Sequence, residues 1–191
     1  MLAAPRLRLR RRSDQGAVAD AEPGRGIVKS YLLSWLARKH AATALADFER
    51  QLPGPWLVWE AGPWCPPPPD RSTLVASGRA RAPSAGEALV LEVAPRMGRA
   101  PLSGVRVGRG PENDLVVEDG TLSREHLLLR PAGEAWTCED LRSSNGSRVN
   151  GVPVNGAAVP LLAGARVEAG AATFTFLDAR GLFLRTRPGR E

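Results

Sequence analysis

An all-β fold is predicted by three features: about ten short apolar segments after Glu87, the turn residues that interrupt every one of them, and a Gly and Pro content too high for a helical bundle. The chain has 20 Gly and 17 Pro in 191 residues, and 43 % of its residues are hydrophobic, enough for one core of ordinary domain size. The predicted strands cover 88–93, 104–108, 115–117, 126–130, 136–140, 147–149, 152–154, 158–161, 166–168 and 173–177. Asn150-Gly151 and Asn155-Gly156 are hairpin signals, because both central positions of a type I′ turn need positive φ. No helical spacing intervenes between these strands, so a β-sandwich is expected rather than βαβ units.

The front of the chain reads differently. Residues 1–25 hold Arg6, Arg8, Arg10, Arg11 and Arg12 with no hydrophobic period and are expected to be a disordered basic arm. Ile27, Val28, Tyr31, Leu32, Trp35 and Leu36 have amphipathic helical spacing that ends in Arg38, Lys39 and His40. Ala41, Leu45, Phe48 and Leu52 repeat that spacing out of phase until Pro53, so a helical hairpin is expected. Trp56, Trp59 and Trp64 fall within nine residues and lead into Pro66–Pro69, an extended polyproline run. These indoles either pack on the two helices as a satellite core or offer a docking surface. Segment 26–69 is thus read as a helical and Trp-rich unit, 70–86 as a linker with a helical turn near Thr73–Ala76, 87–178 as the sandwich, and 179–191 as a C-terminal tail.

Charge and cysteine usage narrow the function classes. The formal charge is +6, but residues 1–86 carry 13 cations against 7 anions while residues 87–191 carry 13 of each, so the surplus lies entirely in the front half. Cys65 and Cys138 are far apart, which supplies neither a disulfide framework nor zinc-ligand spacing. With no run of 18 apolar residues and no signal-peptide core, a soluble cytoplasmic chain is expected, without membrane contact, metal or cofactor. His40 and His126 are the only histidines, no nucleophile turn is present, and both lysines, Lys29 and Lys39, lie in the first helical segment away from any phosphate-cradling glycine loop. The chain is not expected to be an enzyme.

Four loop motifs stand between the predicted strands: Gly108-Arg109, Asn113-Asp114-Leu115, Ser123-Arg124-Glu125-His126, and Ser144-Asn145-Gly146-Ser147 with Val149-Asn150-Gly151 behind it. In order and spacing they resemble the signature of the forkhead-associated (FHA) domain family, over roughly residues 87–178. Leu122 where the family often has Val, and Ser147 where it often has Thr, are mild departures. The resemblance implies an eleven-stranded sandwich that binds phosphothreonine peptides through loops at one end. It also implies phosphate contacts from Arg109, Ser123 and Arg124, a further polar contact from Ser144, and a peptide main-chain contact from Asn145. Gly108, His126, Gly146 and Asn150 are then structural supports of the binding loops.

The residue chemistry agrees independently. A phosphothreonine carries about −1.5 to −2 charges and three acceptor oxygens, so its site needs several donors and a planar fork. Arg109 after a permissive glycine suits the fork; taken alone it could equally pair with Asp114 or Glu112. Ser123 could merely cap a turn, and Arg124 could lie in solvent. His126 near Ser123 suggests a nucleophile and base, but the resemblance makes it a buried hydrogen-bonding support. The leading expectation is a phosphothreonine-dependent signalling adaptor whose partner lies in a Ser/Thr kinase pathway. A phosphate-independent scaffold acting through the Trp-rich segment is the second reading, and nucleic-acid binding by the Arg6–Arg12 arm the third.

Overall fold

The computed structural model describes residues 29–62, 79–80, 86–96 and 103–187. Two sheets face each other. One has the strand order β1 (Ser30–Leu32), β4 (Leu89–Glu92), β2 (Trp56–Trp59), β13 (Ala172–Leu177), β12 (Arg166–Ala169), β9 (Ser147–Val149) and β10 (Val152–Pro153). The other runs β11 (Val159–Leu161), β8 (Ala135–Asp140), β7 (Leu127–Ala132), β5 (Val105–Gly108), β6 (Leu115–Val117) and β3 (Arg79–Ala80). Most pairings are antiparallel; β6 runs parallel to both β5 and β3. Leu57, Trp59, Leu89, Leu91, Phe174, Phe176 and Val167 from the first sheet meet Val105, Val107, Leu115, Val117, Leu127, Leu129 and Cys138 from the second in one core. Burial in that core pushes the Cys138 thiol up to about 12, so it is a packing group and not a nucleophile.

The front segment is not a separate unit. Trp56–Trp59 is an interior strand, with β13 on one side and β4 on the other. All four residues are buried because both faces are covered: Leu57 and Trp59 enter the core between the sheets, while Trp56 and Val58 face a second apolar layer with Leu36, Phe48, Leu52, Val90, Leu177 and Leu182. The expected satellite core therefore exists, but as the outer layer of the sandwich itself. Trp56 and Trp59 are 0 % and 3 % exposed, so neither offers a docking surface. Trp64, the Pro66–Pro69 run, the turn near Thr73–Ala76 and the arm 1–25 lie outside the described residues.

Further elements differ from the sequence reading. Ile27 and Val28 lie outside the described residues; Tyr31 and Leu32 lie on β1, and from Leu33 the chain turns helical, as α1 (Leu33–Lys39), followed by α2 (Leu45–Gln51). Tyr31 still stacks on Trp35 at 5.5 Å, and Lys39 sits 4.6 Å over the Trp35 ring, so the apolar spacing is satisfied across a strand–helix junction. The expected linker contributes β3. The expected tail forms α3 (Ala179–Arg185), capped by Asp178, whose side chain accepts from the Gly181 N–H at 2.6 Å. Beyond α3, Arg187 lies over the Phe183 ring and donates to the carbonyls of His40 and Thr43 at 3.0 and 2.6 Å, fastening the two helical segments together.

Candidate functional site

Three loops converge at one end of the sandwich: 109–114 after β5, 118–126 after β6, and 141–146 after β8. Gly108 sets the first approach. A Cβ there would stand 2.9 Å from Asn113 Nδ2 and closer still to the Arg124 carbonyl, so only glycine lets the strand end pass beneath the second loop. The two loops are then laced together. Arg109 N–H donates to the Ser123 carbonyl and Gly110 N–H to the Arg124 carbonyl, each at 3.0 Å. Asn113 Nδ2 donates to the carbonyls of Gly110 and Arg124 at 2.8 and 2.5 Å.

The third loop joins through Ser123. Its Oγ accepts from the Ser144 N–H at 2.9 Å and lies 3.4 Å from Ser144 Oγ. Asn145 Nδ2 donates to the Thr121 carbonyl at 2.8 Å. Thr121 is itself pinned, because its N–H and hydroxyl both donate to Asp119 Oδ1 and its Oγ1 accepts from Ala171 N–H. The Asp140 carboxylate accepts from Ser143 N–H and Oγ at 2.7 Å each and from Ser147 Oγ. Burial opposes its ionisation, but the hydrogen bonds from Ser147 and Ser143 outweigh it and hold the carboxyl below the usual range.

His126 lies fully buried beneath this junction. Its Nδ1 accepts the Ser123 N–H at 2.9 Å, which leaves the ring proton on Nε2, 3.3 Å from the Gly146 carbonyl. Burial lowers its pKa, and the Gly146 carbonyl and Asp140 oppose that shift without cancelling it. A proton on Nδ1 would break the Ser123 contact. The stability contributed by neutral His126 is therefore complete above the usual value of 6.5 and lost as the pH falls from there through the lower folded-state pKa. Denaturant unfolding between about pH 7.5 and 5 is expected to show that decline. His126→Gln, which cannot titrate, should be about 1–3 kcal/mol less stable at neutral pH and show a shallower slope; equal slopes would assign the decline to His40, whose pKa is also lowered.

The structure thus brings Arg109, Ser123, Ser144 and Asn145 onto one seam, with Arg124 exposed in the same loop. Gly146 turns the third loop at φ 71° and presents its carbonyl to His126. Asn150 stands elsewhere. At φ 51° it begins the β9–β10 turn, and its N–H and Oδ1 bond the carbonyl and N–H of Arg166 at 2.8 Å each, so it steadies β12 rather than the loops. Sequence reasoning missed Asn113 and Asp140 as the side chains that tie these loops; their signal is a short polar residue three positions from its turn partner, Gly110 or Ser143. Among the described residues no His, Cys, Asp or Glu side chains are grouped as metal ligands, and no helix is long and apolar enough to cross a membrane.

The candidate contact groups all stand on loops at one end of a two-sheet sandwich, an arrangement in which a rigid scaffold positions the loops. Comparison with known proteins agrees: the family profile for the FHA domain matches residues 105–170. The glycogen accumulation regulator GarA of Mycolicibacterium smegmatis is 34 % identical over 135 residues, covering 69 % of this chain and 77 % of that protein. The chain belongs to the FHA domain family. An ABC transporter ATP-binding/permease protein of Mycobacterium tuberculosis, Rv1747, is 40 % identical over 60 residues, 31 % of this chain. The chain spans 7 % of that transporter's length and 59 % of the length of GarA from M. tuberculosis. Among solved structures, the FhaA FHA domain complexed with the intracellular domain of Rv3910 is 30 % identical, covers 38 % of this chain and 78 % of its own, and has a TM-score of 0.36.

Proposed function

We propose that this chain is a cytoplasmic adaptor that binds phosphothreonine on a partner protein and so reads the output of a Ser/Thr kinase. The observation that carries this reading is the seam at Ser123. One serine accepts a backbone N–H from the third loop through its hydroxyl and one from the first loop through its carbonyl, so Arg109, Ser123 and Ser144 are held side by side before any ligand arrives. Preorganised donors lose little freedom on binding a phosphate. In this reading Arg109 supplies a bidentate fork, Ser123 and Ser144 supply hydroxyls, and Arg124 adds a second cation. Asn145 keeps its position through Nδ2, and its Oδ1, which has no partner among the described residues, accepts a peptide N–H. The function needs no catalytic residue, metal or cofactor. Relatives named as a glycogen accumulation regulator and an oxoglutarate dehydrogenase inhibitor support a role exerted through another protein.

A phosphothreonine peptide library titrated against the protein is expected to yield ligands that bind at least about 100-fold more tightly than their unphosphorylated forms, the effect of two or so charge-assisted hydrogen bonds. Equal binding of the two forms would remove the proposal.

A further inference from the structure

We propose that Arg142 is a specificity-determining residue that selects ligands carrying an acidic side chain close to the phosphothreonine. This rests on the phosphothreonine reading above. Among the described non-glycine residues only Arg142 and Asn150 have positive φ, at 56° and 51°. Asparagine tolerates that region; an arginine there carries backbone strain that glycine would not. The strain is imposed from both sides. Leu141 N–H donates to the His126 carbonyl at 2.9 Å, and Ser143 is bound through its N–H and hydroxyl to Asp140. The Arg142 backbone therefore cannot relax without releasing the loop that carries Ser144 and Asn145.

Among the described residues nothing compensates for the arginine. Its side chain is exposed and makes no ion pair or hydrogen bond among the described residues. What it adds is a cation at the binding end, two residues before Ser144. Carboxylates on or beside these loops are engaged elsewhere: Glu125 with Arg106, Asp114 with the N–H groups of Arg96 and Arg106, Asp119 with Thr121, and Asp140 with Ser143 and Ser147. Arg124 and Arg142 are thus the loop cations whose charge is turned outward. Arg109 and Arg124 balance a phosphate of about −1.5 to −2 charges. A third cation on the rim is then matched to a further carboxylate beside it, where it adds selectivity more than affinity.

Paired phosphothreonine peptides, alike except for Glu or Ala at positions flanking the phosphothreonine, test this by calorimetry at low salt. The wild-type protein is expected to prefer the Glu form by about 3- to 5-fold, the size of an exposed ion pair. Arg142→Gly should lose that preference, keep its affinity for the Ala form within about 2-fold, and melt no lower than wild type because the strain is relieved. Arg142→Lys, which keeps the charge, should retain most of the preference. An undiminished preference in Arg142→Gly overturns the proposal, as does an equal loss for both peptides, which would place Arg142 on the phosphate. If wild type binds no phosphothreonine peptide at all, the function on which the inference rests fails with it.

Discussion

Arg109→Ala is expected to weaken phosphothreonine-peptide binding by at least about 100-fold while the fold survives. The fork of an arginine makes two parallel charge-assisted hydrogen bonds to a phosphate, each with a net contribution of about 1.5–3 kcal/mol. Losing both corresponds to two decades or more in Kd. The fold should tolerate the change because what ties residue 109 to the second loop is its backbone: the N–H to the Ser123 carbonyl and the neighbouring Gly110 N–H to the Arg124 carbonyl. Alanine keeps both bonds. Arg109→Lys separates fork from charge, since an ammonium restores attraction but not the bidentate geometry, and should recover roughly a tenfold portion of the loss. Calorimetric titration of the three proteins, each checked by denaturant unfolding, decides the matter. Wild-type affinity in Arg109→Ala would mean that the phosphate is held elsewhere.

That loop end was legible in the sequence for a physical reason. A site built from a glycine that permits close approach, short polar turn residues and an arginine leaves its signature in residue identity, and Gly108, Asn113, Ser123 and Asn145 all stand in contacts that their own side chains or lack of one require. Asn150-Gly151 was legible likewise, since φ of 51° and 80° is what an Asn-Gly hairpin turn demands. The front of the chain was not. Trp56-Leu57-Val58-Trp59 is buried on both faces, so it shows no period-2 alternation and reads as an apolar run attached to the helices before it. Tyr31 and Trp35 have helical spacing and do stack, but one is on a strand and the other on a helix. In α3, Gly181 hides a seven-residue helix whose Asp178 cap and Leu182 anchor were the available signals. The left-handed backbone of Arg142 has no sequence signal, because arginine is not among Gly, Asn and Asp, the residues that favour that region.

Cutting the chain at the sequence-based boundary is therefore expected to destroy the module rather than release it. A fragment of residues 87–191 lacks β1, β2 and β3. Among the described strands β4 pairs with β1 and β2 alone, so it would keep no described strand as a partner, and β13 would lose its β2 neighbour. The core would lose Leu57 and Trp59, and the outer layer Leu36, Phe48, Leu52, Trp56 and Val58. Single substitutions already probe this. Trp56→Ala is expected to cost about 3–5 kcal/mol by emptying a fully buried site, a large share of the roughly 5–15 kcal/mol that holds such a domain together. Trp56→Phe should cost much less, because the buried Nε1 has no hydrogen-bond partner among the described residues and the indole contributes volume, not a polar contact. Circular dichroism and denaturant unfolding of fragments 87–191 and 29–187 read the result directly. Cooperative unfolding in 29–187 and its absence in 87–191 assigns the Trp-rich strand to the sandwich. Cooperative unfolding and phosphopeptide binding by 87–191 alone would show that β4 needs neither strand beside it. Loss of partner capture on removing the front segment thus reports unfolding of the binding loops' scaffold, and a docking role for that segment has to be tested by surface substitutions that leave β2 in place.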